Sequence, residues 1–221
     1  MLRKVMSLPV LFDVLIVDDG SPDGTAGIVK QVQAEFSNRI HLLERKGKAG
    51  LGTAYIAGFN YALSKGYELI YEMDCDFSHN PDDLIRLRAA CIEQNAGLAI
   101  GSRYIKGGKI SNWPLDRILM SYFASLYVRL VLWIPVQDTT AGFKCYRAEV
   151  LRKLKLNEIR FIGYAFQIEM KYAVFKAGFK ITEVPITFID RTEGISKMSK
   201  GIFKEALLGV FRMRFSKFRF N

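Results

Sequence analysis

The segment Glu68-Leu69-Ile70-Tyr71-Glu72-Met73-Asp74-Cys75-Asp76-Phe77-Ser78-His79-Asn80-Pro81 decides the fold. Residues 69–73 read as a short buried strand that ends in two carboxylates one residue apart. Pro81 sits where a first helical turn tolerates proline, so a helix follows to about residue 94. In α/β folds, loops at the carboxyl ends of strands are where ligands collect. Two hard oxygen donors at such a point suit Mg²⁺ or Mn²⁺, ions that share their coordination with a phosphate. The competing reading is a plain solvated turn, since Asp is common in turns.

The same alternation extends outward from this segment. Residues 13–17 form a β-branched run ending in Asp18-Asp19-Gly20-Ser21, and residues 25–36 a helix with apolar Ile28, Val29 and Val32. Residues 40–43 give a second strand. The Gly-rich turn Gly47-Lys48-Ala49-Gly50-Leu51-Gly52 opens a helix over 52–64, and the strand at 97–101 leads into Ser102-Arg103-Tyr104. Apolar strands alternating with helices predict an α/β fold with a mostly parallel sheet covered on both faces. Near the end, Ile202, Phe203, Ala206, Leu207, Val210 and Phe211 recur at helical spacing. Beyond them, residues 212–220 interleave cations with aromatics, which suits a membrane interface and equally a frayed basic tail.

The chain has 221 residues, half of them hydrophobic, with 32 Lys and Arg against 22 Asp and Glu for a net charge of +10. The excess favours an anionic partner: a phosphorylated substrate, nucleic acid or lipid headgroups. No nucleic-acid recognition motif is present, which argues against that partner. Cys75, Cys91 and Cys145 are odd in number and widely spaced; they match neither a disulfide framework nor a zinc site, and fit a reducing cytosol. The apolar stretch over 118–136 is broken by Arg129 and is marginal for a membrane span, so it reads as a buried or interfacial helix.

Six motifs in order resemble the family 2 glycosyltransferases of the GT-A fold, and more narrowly their dolichyl- or polyprenyl-phosphate mannosyltransferases. They are residues 17–25 (Val-Asp-Asp-Gly-Ser-Pro-Asp-Gly-Thr), residues 50–55 with Gly58, residues 74–81, residues 101–104, Asn112-Trp113-Pro114 with Arg117, and residues 138–144 (Asp-Thr-Thr-Ala-Gly-Phe-Lys). The resemblance implies a GT-A domain over residues 1–205, with residues 206–221 as a basic aromatic amphipathic tail. It implies that Asp18 or Asp19 contacts the donor nucleotide. Asp74 and Asp76 would hold Mg²⁺ or Mn²⁺ on the donor diphosphate, and Asp76 would be essential to catalysis. Family members often carry Gln as a further ligand where this chain has Ser78, a weaker donor that leaves room for water. Arg103 and Arg117 match positions used on the acceptor phosphate, Arg117 with a catalytic part; for each, a surface salt bridge is the alternative. Arg191 and Lys197 match a loop that closes over the donor diphosphate.

The implied reaction moves mannose from GDP-mannose to a polyprenyl phosphate, with inversion at the sugar's C1. A phosphate monoester is nearly doubly charged at neutral pH, its second pKa being about 6, and needs no general base. The implied location is peripheral, on the cytoplasmic face of a membrane, with a separate membrane subunit as a further expected partner. The segment over 118–132, after Arg117, would lay apolar surface beside the acceptor phosphate, or serve as a plain core helix. Two rivals stay open: transfer of glucose or N-acetylglucosamine to a polyprenyl phosphate or polysaccharide, and a truncated, inactive GT-A domain that binds a membrane or partner.

One departure from the family concerns the start. Members begin with a strand and a base-gripping loop, whereas residues 1–8 here read as the end of the following helix. The missing strand would lie between residues 14–17 and 69–73, leaving two inner edges unpaired. The expectation is that the native protein starts further upstream, and that a chain of this length has little activity. Reading the DNA before the Met1 codon tests it.

Overall fold

The computed structural model describes residues 1–36, 38–190 and 208–221. Arg191 and Lys197 therefore lie outside the described residues, as do Ile202, Phe203, Ala206 and Leu207. The expected alternation is present: α1 (Leu2–Met6), β1 (Val14–Asp18), α2 (Thr25–Glu35), β2 (Ile40–Glu44), α3 (Leu51–Ser64), β3 (Leu69–Glu72), α4 (Asp83–Glu93) and β4 (Leu98–Ser102). There follow β5 (Lys109–Ser111), α5 (Leu115–Leu132), β6 (Lys144–Arg147), α6 (Ala148–Lys153), α7 (Phe166–Lys176), β7 (Ile181–Pro185) and β8 (Thr187–Ile189).

β1 and β2 form a parallel pair, β5 and β8 another, and the main sheet has the order β3-β6-β4-β7. β4 and β7 are parallel, whereas β6 runs antiparallel to both β3 and β4. That reversal matters for the site. Because β6 is inverted, its N-terminal end, with residues 138–143 before it, arrives at the edge where β3 and β4 have their C-terminal ends. Among the described residues β1 and β3 pair with other strands and not with each other, which is the interruption expected from the motifs.

The main sheet is buried on both faces. Leu98, Ile100 and Tyr146 face one core cluster with Phe59, Leu132, Phe166 and Met170; Ala99, Phe143 and Cys145 face another with Val5, Val29, Leu87 and Ile186. The alternation along β4 is the period-2 rule of a strand sandwiched between layers. Each large side chain so buried contributes about 1.5–3 kcal/mol.

α5 departs from this economy. It starts after Pro114 and ends at Trp133, which adopts a left-handed conformation with φ 54°. Only Ser125, Val128 and Leu132 of its 18 residues are buried. Leu115, Leu119, Tyr122, Phe123 and Leu130 stand in solvent, followed by Trp133 at 73 % exposure. Among the described residues no helix is long and apolar enough to cross a membrane.

The end of the chain is tied down. Residues 208–214 are helical, and Val210 and Met213 enter the core. Phe218 meets Tyr172 edge-on at 5.4 Å, Phe220 bridges to Leu154, and the Asn221 N–H donates to the Lys153 carbonyl at 2.9 Å. The frayed-tail alternative does not describe these residues. Phe211 and Phe215 remain exposed, and the Arg214 guanidinium lies 4.0 Å over the Trp133 ring, which joins this helix to the end of α5.

Candidate active site

The acidic loop begins directly after β3. The Asp76 carboxylate accepts the Ser78 N–H at 3.0 Å and the Ser78 hydroxyl at 2.6 Å, closing a tight turn through Phe77, whose φ is 62°. A bulky residue in the left-handed region is strained, and such strain persists only where the surroundings fix it. The fixing comes partly from β8, since the Ile189 N–H donates to the Ser78 carbonyl at 3.1 Å. Asp74 and Asp76 are exposed, while Ser78 is buried.

His79 is buried behind the pair. Its Nδ1 accepts the Asp74 N–H at 3.3 Å, and its ring stacks on Phe143 at 4.9 Å and meets Phe188 edge-on at 5.3 Å. Burial, reinforced by Arg103, pushes its pKa down to about 4. The ring is neutral at pH 7 and acts as an acceptor for the loop backbone. An unfolded histidine titrates near 6.5, so between about 6.5 and 4 the unfolded chain binds more protons than the folded one. Stability is complete above that window and falls as the pH drops through it, by roughly 3 kcal/mol. Urea unfolding in EDTA across this range should show the loss, and His79→Phe should flatten it.

From His79 an aromatic and cationic ladder runs to the two arginines singled out from the sequence. Phe188 meets Trp113 at 5.3 Å, and the Arg117 guanidinium lies 4.0 Å over Trp113. Arg103 lies 5.1–5.6 Å from the rings of Tyr104, Trp113 and Phe188. The structure thus brings Asp74, Asp76, Ser78, Arg103 and Arg117 into one packed unit. The two arginines are held differently. Arg103 is buried, with Nε and Nη2 both 2.7 Å from the Asp138 carboxylate and Nη2 also donating to Thr140. Burial alone would raise Asp138, but Arg103 overrides it and holds the carboxyl below its usual range. Arg117 is part-exposed and pairs with Asp190 at 2.9 Å.

Asp18 and Asp19 sit at the end of β1. Asp18 is buried and accepts the N–H groups of Gly20 and Ser21, so it shapes the turn. Asp19 takes both ends of the Arg45 fork at 2.6 Å, and Arg45 also donates to Thr53. Two residues further along α3, the Tyr55 side chain lies near Asp74; burial and that carboxylate push its pKa well up, so the hydroxyl stays protonated. The first turns of α3 thereby connect the Asp19 loop to the acidic loop. This junction is tight: a Cβ on Gly52 would come within 2.7 Å of the Phe166 ring and of the Phe161 carbonyl.

Residues that sequence reasoning left without a role lie on α7. Residues 166–174 are all buried, yet three of them are polar. Gln167 reaches Glu72, Glu169 accepts the N–H groups of Arg160 and Phe161, and Lys171 donates to the carbonyls of Thr139, Ala141 and Gln167. Each fastens a different segment bordering the site. The signal in the sequence was polar residues at alternate positions in a helix otherwise apolar all round.

The description Glycosyl transferase family 2 matches residues 2–155. The chain belongs to this family. It is a glycosyltransferase. It is 45 % identical over 197 residues to the polyprenol monophosphomannose synthase of Mycolicibacterium smegmatis, a match covering 89 % of this chain and 74 % of that protein. It is 48 % identical over 200 residues to the undecaprenyl-phosphate mannosyltransferase of Micrococcus luteus, covering 90 % and 81 %. Among solved structures, glucosyl-3-phosphoglycerate synthase from Mycobacterium tuberculosis, in complex with Mn²⁺, UDP and glucosyl-3-phosphoglycerate, superposes with a TM-score of 0.59 at 16 % identity, over 91 % of this chain and 67 % of that one. That likeness establishes the GT-A-type fold.

Proposed function

We propose that this chain transfers mannose from GDP-mannose to a polyprenyl phosphate, inverting C1 to give a β-linked lipid-phosphate sugar. The observation that carries the reading is Arg117: a part-exposed guanidinium stacked on Trp113, at the start of a helix with an exposed apolar stripe, in the same packed unit as the acidic pair. A cation beside exposed apolar surface suits a phosphate joined to a hydrocarbon chain. The two curated relatives, whose names carry a polyprenyl phosphate and mannose, support it.

The donor set fits a divalent ion. Asp74 and Asp76 are exposed hard-oxygen donors one residue apart, and Gly142 beside Asp74 carries no side chain to crowd it. These two carboxylates would hold Mg²⁺ or Mn²⁺, and solved GT-A-type neighbours are complexes with Mn²⁺ or Mg²⁺ and UDP. The Ser78 hydroxyl is buried and donates to Asp76, so it reaches the ion's surroundings through that carboxylate. The ion, when bound, neutralises charge on the leaving nucleoside diphosphate. Tyr55 and His79 orient the acidic loop. Arg117 aligns the acceptor phosphate, whose oxygen is the nucleophile without a base. Neutral His79 is occupied with the Asp74 N–H and abstracts no proton.

Transfer from radiolabelled GDP-mannose to undecaprenyl phosphate with Mg²⁺ or Mn²⁺ tests the reading. Arg117→Ala should raise KM for the lipid about 10- to 100-fold, the loss of a charged hydrogen bond of about 1.5–3 kcal/mol, and leave KM for the donor unchanged. An unaltered lipid KM would remove Arg117 from the acceptor site.

The protein docks peripherally, through the exposed stripe of α5 and Arg214, which lies over Trp133. The cytoplasmic face agrees with three free cysteines, two of them Cys91 and Cys145, whose thiols share a hydrogen bond at 3.5 Å. Binding to phosphatidylglycerol vesicles should exceed binding to phosphatidylcholine vesicles and weaken with salt. Leu119→Glu with Phe123→Glu should abolish it without lowering the melting temperature.

A further inference from the structure

We propose that Gln167 is a positioning residue of the transfer site, setting from inside the core the geometry in which Asp74 is presented. This inference rests on the reading of Asp74 and Asp76 as holders of a divalent ion.

Gln167 is 3 % exposed and sits in the first turn of α7. Its Nε2–H donates to Glu72 Oε2 at 3.1 Å, its Oε1 accepts the Lys144 ammonium, and Lys144 Nζ lies 3.0 Å from Glu72 Oε2. The three side chains close a triangle in the buried interior. The amide answers both partners at once, presenting an acceptor to the ammonium and a donor to the carboxylate. A half-satisfied version of such a network is worse than none.

The place of the triangle gives it a part beyond stability. Glu72 is the last residue of β3, two before Asp74. Lys144 is the first residue of β6, two after Gly142. The two are direct Cα partners in the antiparallel ladder. The triangle therefore fixes the point where both strands leave the sheet and enter the site. The loops converge again just beyond it. A Cβ on Gly142 would lie 3.7 Å from Gln167 Nε2, 4.0 Å from Asp74 Oδ2 and 4.0 Å from His79 Cε1. The buried amide, the Asp74 carboxylate and the histidine that grips its backbone thus gather around one backbone position. α7 is buried over residues 166–174, so it supplies a rigid frame for the strand ends.

The test separates positioning from general stability. Gln167→Met keeps the length of the side chain and removes both hydrogen-bonding ends. Mn²⁺ binding in the presence of GDP, read by electron paramagnetic resonance, should weaken about 10- to 100-fold, the usual effect of losing a group that orients a metal's ligands. Gln167→Glu, which keeps an oxygen for Lys144 and loses the N–H to Glu72, should shift it in the same direction, and decides the matter if Gln167→Met does not fold. Leu151→Ala, in the same core but on α6, should lower the melting temperature and leave Mn²⁺ affinity as in the parent. Parental Mn²⁺ affinity in the Gln167 variants would overturn the inference and leave the transferase reading standing. Absence of Mn²⁺ binding by the unaltered protein with GDP would overturn both.

Discussion

Asp76→Asn is expected to lower mannosyl transfer by roughly 10²–10³-fold while the protein melts within a few degrees of the parent. The magnitude follows from losing electrostatic stabilisation worth about 3–4 kcal/mol at a developing charge. Asparagine is the informative substitution because Asp76 has two jobs. Its Oδ1 accepts the Ser78 N–H and hydroxyl and so closes the strained turn through Phe77. An amide oxygen can do the same, whereas only a carboxylate supplies the negative charge that a divalent ion needs. Asp76→Ala removes both, and should lose activity and also destabilise the loop. Transfer assays at saturating Mg²⁺ and at 10-fold higher Mg²⁺, beside thermal unfolding, distinguish these cases. Full activity in Asp76→Asn would remove the metal role; a loss equal to that of Asp76→Ala with an unaltered melting curve would place the effect in the charge.

The parts of the fold that could be read from the sequence are those with a strong period. Strands β1 to β4 and helices α2 to α4 carry apolar runs or helical spacing, and their observed bounds lie close to the expected ones. β6 was not legible. It has four residues, begins with Lys144 and ends with Arg147, and so shows no apolar run. It is a strand because Lys144 finds Glu72 directly opposite and Tyr146 and Cys145 face the two cores. That partner lies 72 positions away in sequence, and only the folded chain brings it near. α7 failed to stand out for a related reason. Gln167, Glu169 and Lys171 would normally mark a solvated face, yet each is buried with its own partner.

The site was legible as a set of residues and not as a set of contacts. Asp74, Asp76, Arg103 and Arg117 do assemble, through the ladder His79, Phe188 and Trp113, of which Phe188 carried no motif. Spacing along the chain cannot tell a side chain that faces solvent from one that closes a turn: Asp18 and Ser78, both read as ligands, also make the hydrogen bonds that shape their loops. It also cannot tell Arg103 from Arg117. Both follow a strand or turn near aromatic residues, but Asp138 claims one and leaves the other at the surface.

That claim makes Asp138→Ala the substitution with the largest expected cost in stability. Asp138 is fully buried and accepts from the Arg103 backbone N–H at 3.0 Å, from Nε and Nη2 at 2.7 Å, and from Thr140. Its own N–H and that of Gln137 donate to Glu183 on β7, which anchors the turn to the sheet. Truncating it strands a buried guanidinium, a loss of about 3–5 kcal/mol, or roughly 6–20 °C in melting temperature for a chain of this size. The pair itself is a poor source of stability, because replacing both members by apolar groups is often close to neutral. Asp138→Ala with Arg103→Met should therefore recover most of the melting temperature. Activity separates the two roles open to Arg103. If the guanidinium also meets the acceptor phosphate, the stable double variant stays impaired, with a raised lipid KM. If Arg103 serves only to hold the 138–142 turn, restoring the fold restores transfer, and Arg117 is left as the acceptor's sole cation among the described residues assigned to it.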